Sequence, residues 1–452
     1  MSKIYENNLL YNIGKPYVVW TYKQFFDEYI ILGKENIPVD EPVIFAPNHL
    51  NALMDALAIL SLPPMRQVKV FLSRADLFHL PKWMVQFLRF AKLMPAFRIR
   101  DGYENLGRNK ESFEEADGVL LNNAGMVIMP EGNQGEEKKV RSLVKGIFRI
   151  AFGAQEKMPV GKSVKILPIG IDTGDFIKFG KHLIINIGKP IEVADYMDLY
   201  KENPAKAINA LKDHLQQEMR NLALHLSSET YYTCCETAVE TVNQSMLDKL
   251  QLENTTANQF IAKQKTAKIL TEIENTQPEL IEKLDELCKK YQAGLQKINL
   301  QNRNLEKQIP SAYKNLFSNV RLAIYACFFL PGFILNFLPF KTPTLFPKIL
   351  NIEYSGFFSS VHYGVGILAF PLFYTLQAIV LISLLSLPGW LFFILIPLQY
   401  LLGKLSFSIY KQIKSILADK RLYYYNRNHA TDLKNLYDLK QNITETVLGR
   451  DI

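Results

Sequence analysis

From residue 29 to about residue 195, short apolar runs alternate with stretches of helical periodicity. Tyr29–Leu32, Val43–Ala46, Val68–Leu72, Met94–Phe97, Met126–Met129, Ile166–Ile169 and Leu183–Ile187 predict strands. Leu53–Leu60, Pro81–Lys92, Asn105–Asn122 and Val144–Ala154 predict helices between them. The alternation predicts an α/β domain with a largely buried sheet. Before it, residues 8 to 27 are apolar, aromatic and basic, and Pro16 predicts the start or a kink of a helix. That segment reads equally as a core-packing helix and as an amphipathic segment lying on a membrane.

After residue 200 the pattern changes twice. Ile208, Leu211, Leu215, Met219 and Leu222, and later Leu280, Leu284, Leu287, Tyr291, Leu295 and Ile298, recur at helical spacing in a polar background, with Pro278 separating two helices. Leu322–Phe340 is then nearly all apolar, broken by Pro331-Gly332, and Gly364–Leu402 carries no charged residue over 39 positions. A bilayer-spanning helix needs about 20 residues, so the second run predicts a helical hairpin turning at Pro388-Gly389. The first predicts a single span or a half-inserted helix hinged at Pro331-Gly332.

Charge adds an orientation. Lys and Arg total 52 against 44 acidic residues, a net charge of +8, without a long basic run that would favour nucleic acid. Arg303, Lys307, Lys314 and Arg321 precede the first apolar run, and Lys404, Lys411, Lys414, Lys420, Arg421 and Arg427 follow the last. Both flanks therefore read as cytoplasmic, which requires an even number of crossings or a hairpin plus a re-entrant segment. Tyr (22) and Phe (28) are frequent, as in a large core or at a membrane interface. Cys234, Cys235, Cys288 and Cys327 have no metal-ligand spacing and read as reduced thiols. The N-terminus has no signal-peptide pattern.

Candidate chemistry gathers where strands hand over to helices. His49 and Asp55 follow the run Val43–Ala46, behind Pro47-Asn48. An imidazole takes a proton near neutral pH, and a carboxylate can fix its tautomer and stabilise its charged form; the alternative is a helix N-terminus with Asn48 as cap. Pro95-Ala96-Phe97-Arg98, with Arg100 two positions on, supplies guanidinium groups that match a phosphate or remain surface charges. Pro130-Glu131-Gly132 ends an apolar strand, Lys145-Gly146 precedes a helix where an anion could bind, and Pro168 in Leu167-Pro168-Ile169-Gly170 predicts a sheet edge or bend.

Together, in this order, these motifs resemble the glycerol-3-phosphate and lysophosphatidic acid acyltransferase superfamily. The resemblance spans roughly residues 25 to 200. It departs from the common pattern in two places. Five residues, not four, separate His49 from Asp55, as in the fungal glycerol-3-phosphate and dihydroxyacetone-phosphate acyltransferase branch. Asn133-Gln134-Gly135-Glu136 also stands where many members have an Arg, and the next Arg is Arg141.

The resemblance implies an α/β acyltransferase domain, a mixed sheet flanked by helices, over 29–200. The segments around it are an amphipathic N-terminal segment (1–28), a helical, partly coiled-coil-like region (201–318), membrane-inserted segments (319–404) and a basic cytoplasmic tail (405–452). It also implies a membrane-bound enzyme with its catalytic domain on the cytoplasmic face. The enzyme would move an acyl group from acyl-CoA or acyl carrier protein to glycerol-3-phosphate, lysophosphatidic acid or dihydroxyacetone phosphate. His49 would be general base, Asp55 its orienting partner, Arg98 with Arg100 or Lys145 the phosphate site, and Asn48, Glu131 and Gly132 parts of the acceptor site. Backbone amides at the helix start would stabilise the oxyanion. No metal or resident cofactor is expected. Another lysolipid or amino-acid-derived lipid as acceptor, or an inactive membrane scaffold, are the alternatives. At about 100° per residue, six positions put Asp55 about 120° off His49's helical face. His49 is therefore expected in the turn, with Asp55 on the helix and the extra residue absorbed between them.

Overall fold

The computed structural model describes residues 3–96 and 109–449. The chain divides into two compact units, Met1–His225 with Tyr354–Ser360, and Leu226–Glu353 with Val361–Ile452.

The first unit runs α1 (Leu9–Gln24), β1 (Glu28–Leu32), β2 (Val43–Pro47), α2 (Ala52–Leu60), β3 (Lys69–Arg74), α3 (Lys82–Phe90), β4 (Leu93–Ala96), α4 (Asn109–Leu121), β5 (Gly125–Val127), α5 (Gly146–Glu156), β6 (Lys165–Thr173), β7 (His182–Ile187), β8 (Ile191–Glu192), α6 (Met197–Glu202) and α7 (Pro204–Leu222). The strands form one mixed sheet in the order β1-β7-β6-β2-β5-β3-β4, with β8 paired to β6. Parallel pairing joins β6, β2, β5, β3 and β4, whereas β7 and β8 run antiparallel to β6. Both faces are covered, which is why the strands read as apolar runs and not as alternations. Ile44, Ala46, Met126 and Ile166 join α4, α5 and α7 in one core. The opposite-parity Val43, Phe45, Leu167 and Ile169 are equally buried. α7 contributes Leu211, Leu215 and Met219 to that core, so its periodicity serves the α/β unit.

Pro168 lies on neither an edge nor a bend. β6 is paired on both sides, with Pro168 opposite Ala46 of β2. Toward β7 and β8 it falls in the gap between the two short ladders, which end at Ile166 and Ile169. There its carbonyl accepts from the Gly188 N–H at 3.0 Å, and no ladder bond needs the missing N–H.

The second unit comprises α8 (Tyr232–Lys249), α9 (Thr256–Thr276), α10 (Pro278–Ile298), α11 (Asn302–Leu305), α12 (Ala312–Ile349), α13 (Phe358–Leu384), α14 (Phe392–Asn428) and α15 (Ala430–Leu448), with the first three residues of α13 counted in the first unit. Pro278 opens α10, and the turn around Pro388-Gly389 separates α13 from α14. Among the described residues, three helices are long and apolar enough to cross a membrane: Ala312–Ile349, Phe358–Leu384 and Gly389–Asn428. Of the two readings of this segment, the hinge is absent: α12 continues through Pro331-Gly332 as one helix of 38 residues. Gly332 packs against α14, where an added Cβ would stand 2.3 Å from the Leu402 carbonyl oxygen. α14 runs antiparallel along α12: Ser406 donates to the Phe329 carbonyl at 2.9 Å, and Asn336 donates to the Gln399 carbonyl at 3.2 Å.

Candidate active site

β2 ends at Pro47, and residues 48–51 form a tight turn before α2. Asn48 is buried and spends both ends of its amide on β6: Nδ2 donates to the Ile171 carbonyl at 3.1 Å and Oδ1 accepts the Ile171 N–H at 2.6 Å. It fixes the turn to the neighbouring strand. His49 stands in the turn and Asp55 is the fourth residue of α2. His49 Nδ1 lies 3.0 Å from Asp55 Oδ2, with the His side chain 17% and the Asp side chain 2% exposed. An ionised carboxylate only accepts, so the proton sits on Nδ1 and Nε2 carries the lone pair. The same Asp55 oxygen accepts the Leu50 and Asn51 amides at 2.8 and 2.7 Å.

Glu131 reaches the turn from the far end of β5. Its Oε1 accepts the His49 N–H at 3.0 Å, and its Oε2 accepts Arg141 Nε at 2.6 Å and the Arg141 N–H at 3.3 Å. Burial pushes the Glu131 carboxyl upward, against the pull of Arg141 and of these N–H bonds. Three donors converging on one carboxyl group call for an acceptor at both oxygens, which is the ionised form. Arg141 also donates from Nη1 to the Gln134 carbonyl at 2.9 Å, and from Nη2 to the carbonyls of Asn133 and, at 3.4 Å, His49. With its guanidinium spent on the loop, Arg141 positions His49. Gly132 adopts φ +72°, and a Cβ there would meet Val144 at 3.1 Å, so the Glu-Gly step requires its glycine.

The remaining sites divide. Arg98 and Arg100 lie outside the described residues. Lys145 is exposed at the N-cap of α5, with no side-chain bond to the turn among the described residues. The amides of Leu50, Asn51 and Leu53 at the helix start, expected to face an oxyanion, are engaged elsewhere in this structure: the first two donate to Asp55 and the third donates to Ser360 Oγ at 3.2 Å. A cleft of about 260 Å³ lined by Phe78, Val85, Arg89 and Pro95 includes none of His49, Asp55 and Glu131. Among the described residues, no cluster of His, Cys, Asp and Glu could hold a metal ion.

Three partners of the site, one each on the turn, the start of α2 and the loop beyond β5, come from residues that sequence reasoning passed over. Ser359 donates to Asn51 Oδ1 at 2.9 Å, Ser360 accepts from Leu53, and Tyr354 bonds Gln134. All three stand about 300 positions after His49 in apolar surroundings, and no local pattern marks them.

No match was found among the curated proteins. One solved structure that this chain resembles is the 1-acyl-sn-glycerophosphate (LPA) acyltransferase PlsC from Thermotoga maritima. The two are 20% identical, the match covers 47% of this chain and 80% of that one, and the TM-score is 0.33. Residues 29–172, which hold the β2–α2 turn with His49 and Asp55 and the β5 end with Glu131, match the family model described as Acyltransferase.

Proposed function

We propose that the protein is a membrane-bound O-acyltransferase that acylates a hydroxyl of a phosphate-bearing glycerolipid precursor. The acceptor is glycerol-3-phosphate, lysophosphatidic acid or dihydroxyacetone phosphate. The observation that carries this reading is the His49–Asp55 pair at 3.0 Å within the segment similar to acyltransferases. His49 Nε2 takes the proton of the acceptor hydroxyl as its oxygen attacks the acyl carbonyl of an acyl-CoA or acyl carrier protein thioester. Asp55 stabilises the imidazolium, the tetrahedral intermediate collapses with cleavage of the carbon–sulfur bond, and His49 returns the proton to the departing thiolate. Glu131 and Gly132 hold the turn that aims His49. Arg98, Arg100 and Lys145 supply cations for the acceptor phosphate. The basic flanks of the apolar helices support a catalytic face turned to the cytoplasm, and no resident cofactor enters the scheme.

The test is acyl transfer by the purified full-length protein in vesicles, with both donor types and the three acceptors. His49→Ala is expected to lower turnover roughly 10²–10⁴-fold, the usual weight of a general base. Unchanged turnover would remove His49 from the mechanism. Turnover only with another lysolipid would move the acceptor assignment and leave the chemistry.

A further inference from the structure

The three apolar helices are each long enough to cross a bilayer, and composition alone leaves their number of crossings open. Chain connectivity constrains it. Residues 354–360, the end of the α12–α13 connection and the first turn of α13, belong to the same compact unit as residues 1–225. Ser359 and Ser360 bond Asn51 and Leu53 of the His49 turn, and such a segment shares the turn's side of any membrane. Residues 226–311 contain no helix apolar and long enough to cross. Ser311, which caps α12, therefore faces the same compartment as His225, and Tyr354 beyond α12 faces that compartment too.

A helix that crossed once would separate these ends. α12 is continuous over 38 residues, so it cannot turn back within the bilayer as a half-inserted hairpin. α14 lies antiparallel against it, from Phe329–Ser406 to Asn336–Gln399, and takes the same inclination. α14 then leads into α15, which returns to α10: Lys297 pairs with Asp432 at 3.1 Å, and Leu436 covers Gly294. With α12 and α14 not crossing and both ends of 358–428 on one side, α13 cannot cross alone.

We propose that α12, α13 and α14 form a monotopic platform that enters one leaflet of a phospholipid bilayer and crosses it nowhere. Its occupant is acyl chain and headgroup. Val320, Ile324, Ile334 and Leu338 of α12 and Leu398 and Leu401 of α14 are exposed apolar positions suited to acyl chains. Arg321, Lys341, Lys348 and Lys404 are placed along the same helices for anionic headgroups. Backbone groups that prolines leave unpaired must be satisfied inside such a layer. Pro339 cannot donate to the Leu335 carbonyl, and Gln377 of α13 donates to it instead at 3.0 Å. The platform stands whether or not the chemistry proposed above does.

The experiment uses the full chain in sealed phosphatidylethanolamine–phosphatidylglycerol vesicles, in a Cys327→Ser background because Cys327 is the exposed thiol. Single cysteines replace Ser311, Glu353 and Ser386, with Lys178→Cys in the α/β unit as reference. A membrane-impermeant maleimide added outside is expected to label the same fraction of all four sites before lysis. Glu353 or Ser386 labelled in the complementary fraction, and reached only after detergent lysis, overturns the proposal. Should a site react poorly, the same variants carry a bimane attached before reconstitution. External iodide is then expected to quench all four to the same extent, and quenching of Glu353 or Ser386 by lumenal iodide alone overturns it equally.

Discussion

Oδ2 of Asp55 accepts from His49 Nδ1 and from the amides of Leu50 and Asn51. Folding the turn back onto this oxygen is what accommodates the fifth intervening residue. Ala52 takes φ +21° at the start of α2, a backbone cost of about 1–3 kcal/mol. Hydrogen bonds to a charged group contribute about 1.5–3 kcal/mol each, so the three together exceed that cost. A second histidine holds the loop that carries Arg141. His225 Nδ1 accepts the Val140 N–H at 3.0 Å, which requires an unprotonated nitrogen. Burial first, then Arg220 and Lys139, push its pKa down to about 4 from 6.5. The folded-state value is the lower one, so the unfolded chain binds more protons between the two. This contribution to stability is complete above about pH 6.5 and is lost as pH falls toward 4. Thermal melting of the wild type in detergent is expected to decline over that window with the slope of one additional proton. His225→Gln should flatten the decline, and equal slopes would show that another group governs it.

At the scale of elements, the sequence marks strands and helices well because apolar runs and helical periodicity are local properties. Val43–Ala46, Leu53–Leu60 and Leu183–Ile187 fall within a residue of the observed β2, α2 and β7. Two prolines, one expected at an edge or bend and one left open between a span and a hinge, are accommodated for one reason. Pro168 and Pro331 lack an N–H wherever they stand, but whether that breaks an element depends on what lies beside it. Pro168 fits because two short ladders change over there. Pro331 fits because α12 is braced along its length by α14. Gly332 is the contact point of that brace: a Cβ would stand 2.3 Å from both the Leu402 oxygen and Ser406 Oγ. Gly332→Leu is expected to destabilise the second unit by about 1–3 kcal/mol, the usual cost of overpacking. Gly364→Leu on α13, where a Cβ meets nothing within 4 Å, is expected to leave the melting temperature unchanged. A fall of equal size in both variants would assign the effect to helix propensity or micelle contact and not to the α12–α14 seam.

At the scale of the molecule, the His49 turn draws its support from opposite ends of the chain. Asn48 is held by β6, His49 by Glu131 and Arg141, and Asn51 and Leu53 by Ser359 and Ser360. Replacing both serines with Ala removes two bonds of about 0.5–1.5 kcal/mol each. The double variant is expected to lose acyl transfer by up to roughly a hundredfold with the sheet intact by circular dichroism. Wild-type activity in that variant would remove residues 354–360 from the working site.

The sequence by itself determined the elements, the apolar segments and the candidate groups His49, Asp55 and Glu131, because periodicity, hydropathy and side-chain chemistry are written residue by residue. Tertiary structure alone decided the strand order, the commitment of Arg141 to Glu131 and of Asn48 to β6, and the closure of the turn by Ser359 and Ser360. Each of these is a polar group finding its partner through space, and a buried donor accepts any partner the fold delivers, however far along the chain it lies.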